Sequence, residues 1–163
     1  MNKVEIERKF LIKRPSESLL NSLLNVSKVE IEQTYTLIGA RVRKWTENGK
    51  VSYIQTVKKE LSAISRIETE EEITEKEYLA LLSLSDPSRI TLKKTRYRYP
   101  FGGKLIEIDL FPFWENQAFL EVELSSETEE FSLPEFVEII REVTSDKAFK
   151  NHAIAKSIPK EEV

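Results

Sequence analysis

Val4-Glu5-Ile6-Glu7-Arg8-Lys9-Phe10 is the stretch from which the rest of the chain can be read. Side chains alternate along an extended backbone, so Glu5, Glu7 and Lys9 share one face while Val4, Ile6 and Phe10 take the other, interrupted only by Arg8. The apolar face is that of any half-buried strand. The charged face is unusual, because the same habit returns along the chain with acids and bases sorted by position: Arg41 and Arg43, Lys58, then Arg66, Glu68, Glu70 and Glu72. It continues with Lys94, Arg96 and Arg98, with Glu107 and Asp109, and with Glu121 and Glu123.

Working outward, Pro15 to Leu24 reads as a short helix with Leu19, Leu20, Leu23 and Leu24 at helical spacing. Strand patterns follow over 29–37, 40–46, 51–58 and 64–73, with Asn48-Gly49 as a hairpin turn between the second and third. Thr74 opens a helix through a capping box with Glu77, and Asp86-Pro87-Ser88 ends that region. Further strands are expected over 90–99, 104–111 and 118–124, the first two joined at Gly102-Gly103. Ser132-Leu133-Pro134-Glu135 reads as the start of a helix carrying Phe136, Val137, Ile140 and Val143, and a last helix is expected from Asp146 toward Lys156, with a frayed tail after Pro159.

The chain has 163 residues, 33% charged and 40% hydrophobic, which suits a single domain spanning 1–163 with its own core. A net charge of -3 argues against the broad basic surface of a duplex-binding protein, so no nucleic-acid partner is expected. With no cysteine there is neither a disulfide nor a zinc-thiolate site, and no apolar run is long enough to span a bilayer. A cytoplasmic protein with no membrane partner, monomer or homodimer, is the expectation.

About eight strands with short connections close, or nearly close, into an antiparallel barrel. Only one face of that sheet can meet the helices through apolar contacts, and the apolar sides of the first, seventh and eighth strands are the natural choice. The charged sides then point inward. A dozen ionised groups cannot line a dry core, since each unpaired buried charge costs several kcal/mol. The bore is therefore wet and holds something ionic. An open sheet with cross-strand salt bridges on its wet side is the alternative.

Carboxylates two residues apart on neighbouring strands supply hard oxygen ligands for Mg²⁺ or Mn²⁺. Arg and Lys at the same height suit phosphate oxygens. Together they are the parts needed for a metal-bound polyphosphate.

These residues resemble a known family. Glu5-Ile6-Glu7-Arg8-Lys9 has the ExExK form of the CYTH superfamily, the triphosphate tunnel metalloenzymes. Gln33-Thr34-Tyr35 resembles the family's QxY, Arg41-Val42-Arg43 its RxR, and Thr56-Val57-Lys58 the end of its YLTIK strand, with Ile54 where that strand has Tyr. Arg66 to Glu72 resembles RxExExE, Lys94-Thr95-Arg96 is KTR, Glu107-Ile108-Asp109 is ExD and Glu121-Val122-Glu123 the late ExE. Thr144, Asp146 and Asn151 resemble TxDxxYxN, with Phe149 in place of Tyr.

The resemblance implies an α+β fold: an eight-stranded antiparallel β-barrel, or tunnel, with flanking helices and a C-terminal plug helix. It implies Glu5, Glu7, Glu121 and Glu123 as ligands of two divalent ions, Mg²⁺ or Mn²⁺, with Glu70 supporting them. Arg41, Arg43, Lys58, Lys94 and Arg96 would hold a small-molecule triphosphate, with Arg66 joining them, and a lysine such as Lys150 would reach in from the plug. The activity expected is hydrolysis of the terminal phosphoanhydride of inorganic tripolyphosphate, one ion bridging phosphoryl oxygens and the other acidifying a water. Lys9 and Tyr35 would form a catalytic dyad, the ammonium lowering the phenol's pKa, with Tyr35 as an amphipathic wall residue the alternative. The family also contains adenylate cyclases, thiamine triphosphatases and RNA capping triphosphatases. A module that sequesters polyphosphate without turnover is a further alternative. His152 is expected at the surface or as a cap, and Trp45 and Trp114 as rim or core aromatics, with stacking on a nucleobase as the alternative.

Overall fold

The computed structural model describes residues 2–163, with side-chain surroundings from Val4 onward. Its framework is β1 (Asn2–Lys13), β2 (Ser27–Tyr35), β3 (Arg41–Glu47), β4 (Lys50–Glu60), β5 (Ser65–Ile73), β6 (Leu92–Phe101), β7 (Lys104–Leu110) and β8 (Gln117–Glu123). Around the ring the order is β1-β5-β4-β3-β2-β6-β7-β8, every pairing antiparallel, and the β1–β5 pairing closes it. Most neighbours in the ring are also neighbours in sequence, joined as hairpins. The Asn48-Gly49 turn takes positive φ at both residues, 51° and 77°, as a tight hairpin of this type demands.

β1 is the seam. One edge pairs with β8 through Glu7 to Lys13, while the other pairs with β5 only as far as Ile6. Past that point a ninth short strand, β9 (Ile139–Glu142), takes the vacated edge, pairing with Phe10, Leu11 and Ile12. Here the structure corrects the helix expected from Ser132. Its apolar residues Phe136 and Val137 pack on the barrel's outer core as an irregular crossing, and the chain then extends. Pairing with the open edge satisfies backbone groups that a helix would leave exposed there, and the β-branched Ile139, Ile140 and Val143 suit a strand.

Outside, α1 (Glu17–Ser22) covers Phe10, Ile12, Tyr97, Ile108 and Leu120 through the buried Leu20. α2 (Glu75–Leu82) begins at the expected capping box, Thr74 accepting from the Glu77 amide, and lays Tyr78 against Val42 and Ile73. Arg8, the interruption in β1's outer face, donates to the Glu142 carboxylate at 2.8 Å and lies over the Phe131 ring.

The C-terminal plug is built of two turns rather than the single helix expected from Asp146. A 3-10 turn (Lys147–Phe149), capped by the Asp146 carboxylate, and α3 (Asn151–Ile154) are separated by an extended Lys150. That break lets both Phe149 and Ile154 enter one end of the barrel, where they meet Leu11, Leu92, Phe111 and Phe119. The tail is not frayed: the Trp114 indole N–H donates to the Pro159 carbonyl at 2.9 Å, and Arg141 binds the Glu162 carboxylate. Among the described residues no helix is long and apolar enough to cross a membrane.

Candidate active site

The bore encloses a cavity of about 890 Å³. Alternation aims Glu5, Glu7 and Lys9 into it from β1, and Glu121 and Glu123 from β8. β3 contributes Arg41, Arg43 and Trp45, β4 Thr56 and Lys58, β5 Arg66, Glu68 and Glu70, and β6 and β7 contribute Arg96, Arg98 and Glu107. Tyr35 stands on β2. The ring order sorts these residues into two walls. Apart from Glu60 at the end of β4, the lining acids lie on four consecutive strands, β7, β8, β1 and β5, and the lumen bases of β4, β3 and β6 make up the other half of the ring. Two bases break the pattern by standing within the acid wall: Lys9 on β1 and Arg66 on β5.

Register explains the contacts. Glu7 lies directly opposite Glu123, and Lys9 opposite Glu121, so carboxylates from β1 and β8 share one height. In this setting burial, with the nearby Glu121 charge, pushes the Glu7 carboxyl up to about 7 against the opposing pull of Arg66 and Lys58. Arg66 donates to Glu7 and lies 3.7 Å from both Glu5 and Glu68. On the other side Arg41 is 3.5 Å from Glu68, and Arg43 is 3.3 Å from Glu70. Arg96 grips Asp109 through Nε and Nη2 at 2.8 and 2.9 Å and reaches Glu107 at 3.3 Å. Asp109 is held far below the usual carboxylate range: burial works against its charge, but Arg96 and Lys94 outweigh it.

In the basic wall, Arg41, Arg43 and Lys58 are desolvated beyond what their acidic neighbours offset. Burial lowers Arg41, and it brings Arg43 down to about 9 with help from the neighbouring Arg41 and Arg96 charges. Lys58 is held well below its ordinary value by burial and by Arg41 and Arg66. The Nε atoms of Arg41 and Arg43 and the Thr56 hydroxyl, all buried, have no hydrogen-bond partner within the protein. Such orphaned donors are costly unless a ligand meets them.

A CYTH domain model matches residues 3–152. The chain belongs to the CYTH domain family. Among solved structures, the inorganic triphosphatase NE1496 is similar at 30% sequence identity and a TM-score of 0.59, the match covering 96% of this chain and 97% of that one. The PH1819 protein of Pyrococcus horikoshii OT3 shares the fold at 22% identity and a TM-score of 0.51, over 76% of this chain and 80% of that one. A conserved hypothetical protein of Pyrococcus furiosus does so at 22% identity and a TM-score of 0.52, with the same coverage. No protein of curated function matches the chain.

The CYTH tunnel brings together nearly all the residues singled out from the sequence. Glu5, Glu7, Lys9, Tyr35, Arg41, Arg43, Lys58, Arg66, Glu70, Arg96, Glu121 and Glu123 line the one cavity. Lys94 does not: its side chain is 1% exposed and salt-bridged to Asp109 at 2.9 Å, behind the cavity surface. Lys9 and Tyr35 have separate partners. The Lys9 ammonium donates to the Phe149 carbonyl at 2.8 Å, sits 3.7 Å from Glu121 and lies over the Phe119 ring. The Tyr35 hydroxyl accepts from the Gln33 amide at 2.7 Å, and its ring meets His152 edge-on at 5.0 Å. The expected acidic phenol is corrected: burial raises the Tyr35 pKa, outweighing Arg41, the Gln33 hydrogen bond and Arg43.

His152, expected at the surface or as a cap, is exposed as expected, and it also borders the cavity with Lys147, Lys150 and Asn151 of the plug. Nothing in the local sequence around His152 signals this second contact, because its position follows from the break at Lys150. Trp45 stands in the cavity wall with the guanidinium groups of Arg43 and Arg98 at 5.6 and 5.9 Å from its ring, while Trp114 is core. Thr56, Glu68, Arg98 and Glu107 also belong to the site, and strand alternation from Lys58, Arg66, Arg96 and Asp109 gives all four.

Among the described residues no three carboxylate or imidazole groups converge closely enough to hold an ion as they stand. The donor set nonetheless fits a hard divalent cation: the oxygens are carboxylate, Glu121 is held ionised against its burial by Lys9, Arg96 and Lys94, and burial together with the Glu121 charge disfavours the ionised form of Glu7, which a divalent cation would favour. Arg66 is what stands among them.

Proposed function

We propose that this chain hydrolyses the terminal phosphoanhydride of a triphosphate held in the tunnel, with inorganic tripolyphosphate as substrate and two divalent ions, Mg²⁺ or Mn²⁺, as cofactors. The observation that carries this reading is the desolvated basic wall. Arg41, Arg43 and Lys58 converge on one cavity with their charged forms disfavoured by burial and by each other, and a multiply charged anion is the ligand that relieves both. A simple carboxylate would leave most of these donors unmet. The likeness to the inorganic triphosphatase NE1496 over nearly the full length of both chains supports it.

Glu5, Glu7, Glu121 and Glu123 would hold the ions, with Glu70 in support. Such ions, when bound, polarise phosphoryl oxygens and acidify a water. Arg41, Arg43, Lys58 and Arg96 bind the phosphoryl oxygens and offset the charge that moves onto the leaving phosphate. Lys94 acts through Asp109, whose carboxylate it shares with Arg96, and so orients that guanidinium without touching substrate. Lys9, fixed by the Phe149 carbonyl, holds Glu121 in place as a positioning residue. Tyr35, protonated at neutral pH, donates to a phosphoryl oxygen while accepting from Gln33.

The deciding assay is phosphate release from tripolyphosphate, ATP and thiamine triphosphate with Mg²⁺ or Mn²⁺, together with a measurement of cyclic AMP. Release from tripolyphosphate well above the other two is expected. Cyclic AMP formed from ATP would replace this reading with a cyclase, and binding of tripolyphosphate without turnover would make the tunnel a carrier.

A further inference from the structure

Arg66 is a base on the wrong wall. β5 lies in the acid half of the ring, and Arg66 sits opposite Glu5 in the β1–β5 register. Its guanidinium donates to Glu7 and lies 3.7 Å from Glu5 and 3.7 Å from Glu68, so three carboxylates from two strands close around one cation. Two of the three, Glu5 and Glu7, belong to the set assigned above to metal. The third, Glu68, also meets Arg41 at 3.5 Å and Lys58 at 4.0 Å, both on the basic wall. Glu68 is therefore a hinge in the charge network: it links the cation among the acids to the cations that await phosphate. Only 17% of the Arg66 side chain is exposed, and its Nε has no hydrogen-bond partner. The guanidinium donates to Glu7 through Nη2 and not as a two-pronged fork, so its charge is met chiefly by carboxylates around it, and an anion of higher charge is what can compete for it.

From this geometry we infer that Arg66 is an internal counter-ion that keeps the acid wall closed to a divalent cation until a polyphosphate draws the guanidinium toward the basic wall. The phosphate-free tunnel then binds free metal weakly, and substrate arrives first or together with its metal. A cation among these carboxylates and a divalent ion at the same oxygens repel each other, so only one of them occupies the acid wall at a time. A bound polyphosphate offers Arg66 a new partner and releases Glu5 and Glu7 in the same movement. Metal and substrate become positively coupled with no change of fold. The inference rests on the triphosphatase reading for the identity of the ligands, but its first half concerns only Arg66 and the acids.

The test is direct binding without turnover. Mn²⁺ titrated into the phosphate-free protein, followed through the electron paramagnetic resonance signal of the free ion, should bind Arg66→Gln more tightly than the wild type by about tenfold or more. Arg66→Lys, which keeps the charge but not the reach, should fall between them. Arg98→Gln, which removes the same charge from the opposite wall, should stay within about twofold of the wild type. Tripolyphosphate titrated calorimetrically in the presence of a chelator should move the other way, binding Arg66→Gln several-fold more weakly. Circular dichroism and a melting curve establish that each variant is folded. Mn²⁺ binding to Arg66→Gln no tighter than to the wild type overturns the inference, as does an equal gain for Arg98→Gln. Tighter Mn²⁺ with unchanged tripolyphosphate affinity overturns the hand-over. If tripolyphosphate binds no variant and not the wild type while the Mn²⁺ series holds, the counter-ion role stands and the triphosphatase reading fails.

Discussion

Two stretches of the same bore are built from the same strands and behave as opposites. Along β1 the inward face runs Glu5, Glu7, Lys9 and then Leu11; along β8 it runs Phe119, Glu121 and Glu123. β6 passes from Leu92 to Lys94, Arg96 and Arg98, and β7 from Glu107 and Asp109 to Phe111 just beyond its end. The change comes at one height: Leu11 lies opposite Phe119, one step past the Lys9–Glu121 pair. On the apolar side of that level the bore is packed by Phe149 and Ile154, and on the other it is an open cavity lined by ionic groups. Alternation says which residues face inward and nothing about whether inward means core or site. That is decided by what fills the end, and here a broken helix fills it with rings.

The sharpest way to separate the two stretches is to remove a charge from one without touching the other. If Glu5 and Glu123 hold metal as proposed, Glu5→Gln or Glu123→Gln should lower turnover by at least about a hundredfold with the far-ultraviolet spectrum unchanged, each change removing a hard oxygen ligand while keeping volume. Activity near wild type would show that these acids do not hold metal. Phe119→Ala is the converse experiment. It should cost roughly 3–5 kcal/mol in denaturant unfolding, since Phe119 is buried among Phe111, Trp114 and Phe149. A loss below about 1 kcal/mol would mean the end is loosely filled.

A third experiment works at the boundary. Asp109 is depressed in the folded state by Arg96 and Lys94, so its contribution to stability is full above its unfolded pKa and drains away as pH falls toward the folded value. Between about pH 5 and pH 2 the wild type should therefore lose more unfolding free energy than Asp109→Asn, which is weaker at neutrality because it strands Lys94. Parallel pH curves for the two proteins would remove Asp109 from the account of acid sensitivity. The smallest effect is a control outside both stretches: Thr74→Ala should cost about 1 kcal/mol through the lost α2 cap, with turnover unchanged.

Much of this was legible in the sequence because period-two alternation is a local property. The inward charges, the Asn48-Gly49 and Gly102-Gly103 turns, the Thr74 cap and the closed antiparallel ring all follow from short-range rules, and the CYTH motifs are themselves those inward rows. What escaped is what tertiary context decides. Residues 132–143 carry a helix-like start at Ser132 and Pro134, yet a vacant edge of β1 recruits Ile139–Glu142 as a strand. Lys94 shares its alternation with Arg96, and only the level of Phe111 and Leu92 shows it to lie behind the cavity. His152, though exposed, meets the Tyr35 ring at the cavity's border after the break at Lys150, and Tyr35 stays protonated because its burial outweighs the cations beside it. The tail after Pro159 holds Trp114 and Arg141 through contacts 45 and 21 residues apart in sequence, which no short window over the chain contains.

The placement of β1 also bears on how the molecule is made. Its partners are β5, β8 and β9, so β1 finds its longest mate only after Glu123 has been made, and its last after Glu142. A nascent chain halted at residue 90 owns the hairpin-linked run from β2 to β5 with the Arg41, Arg43 and Lys58 row, but has only Glu5 and Glu7 to represent the β1–β8 carboxylates. Closure of the acid half of the tunnel is thus withheld by chain order itself until β8 has been made.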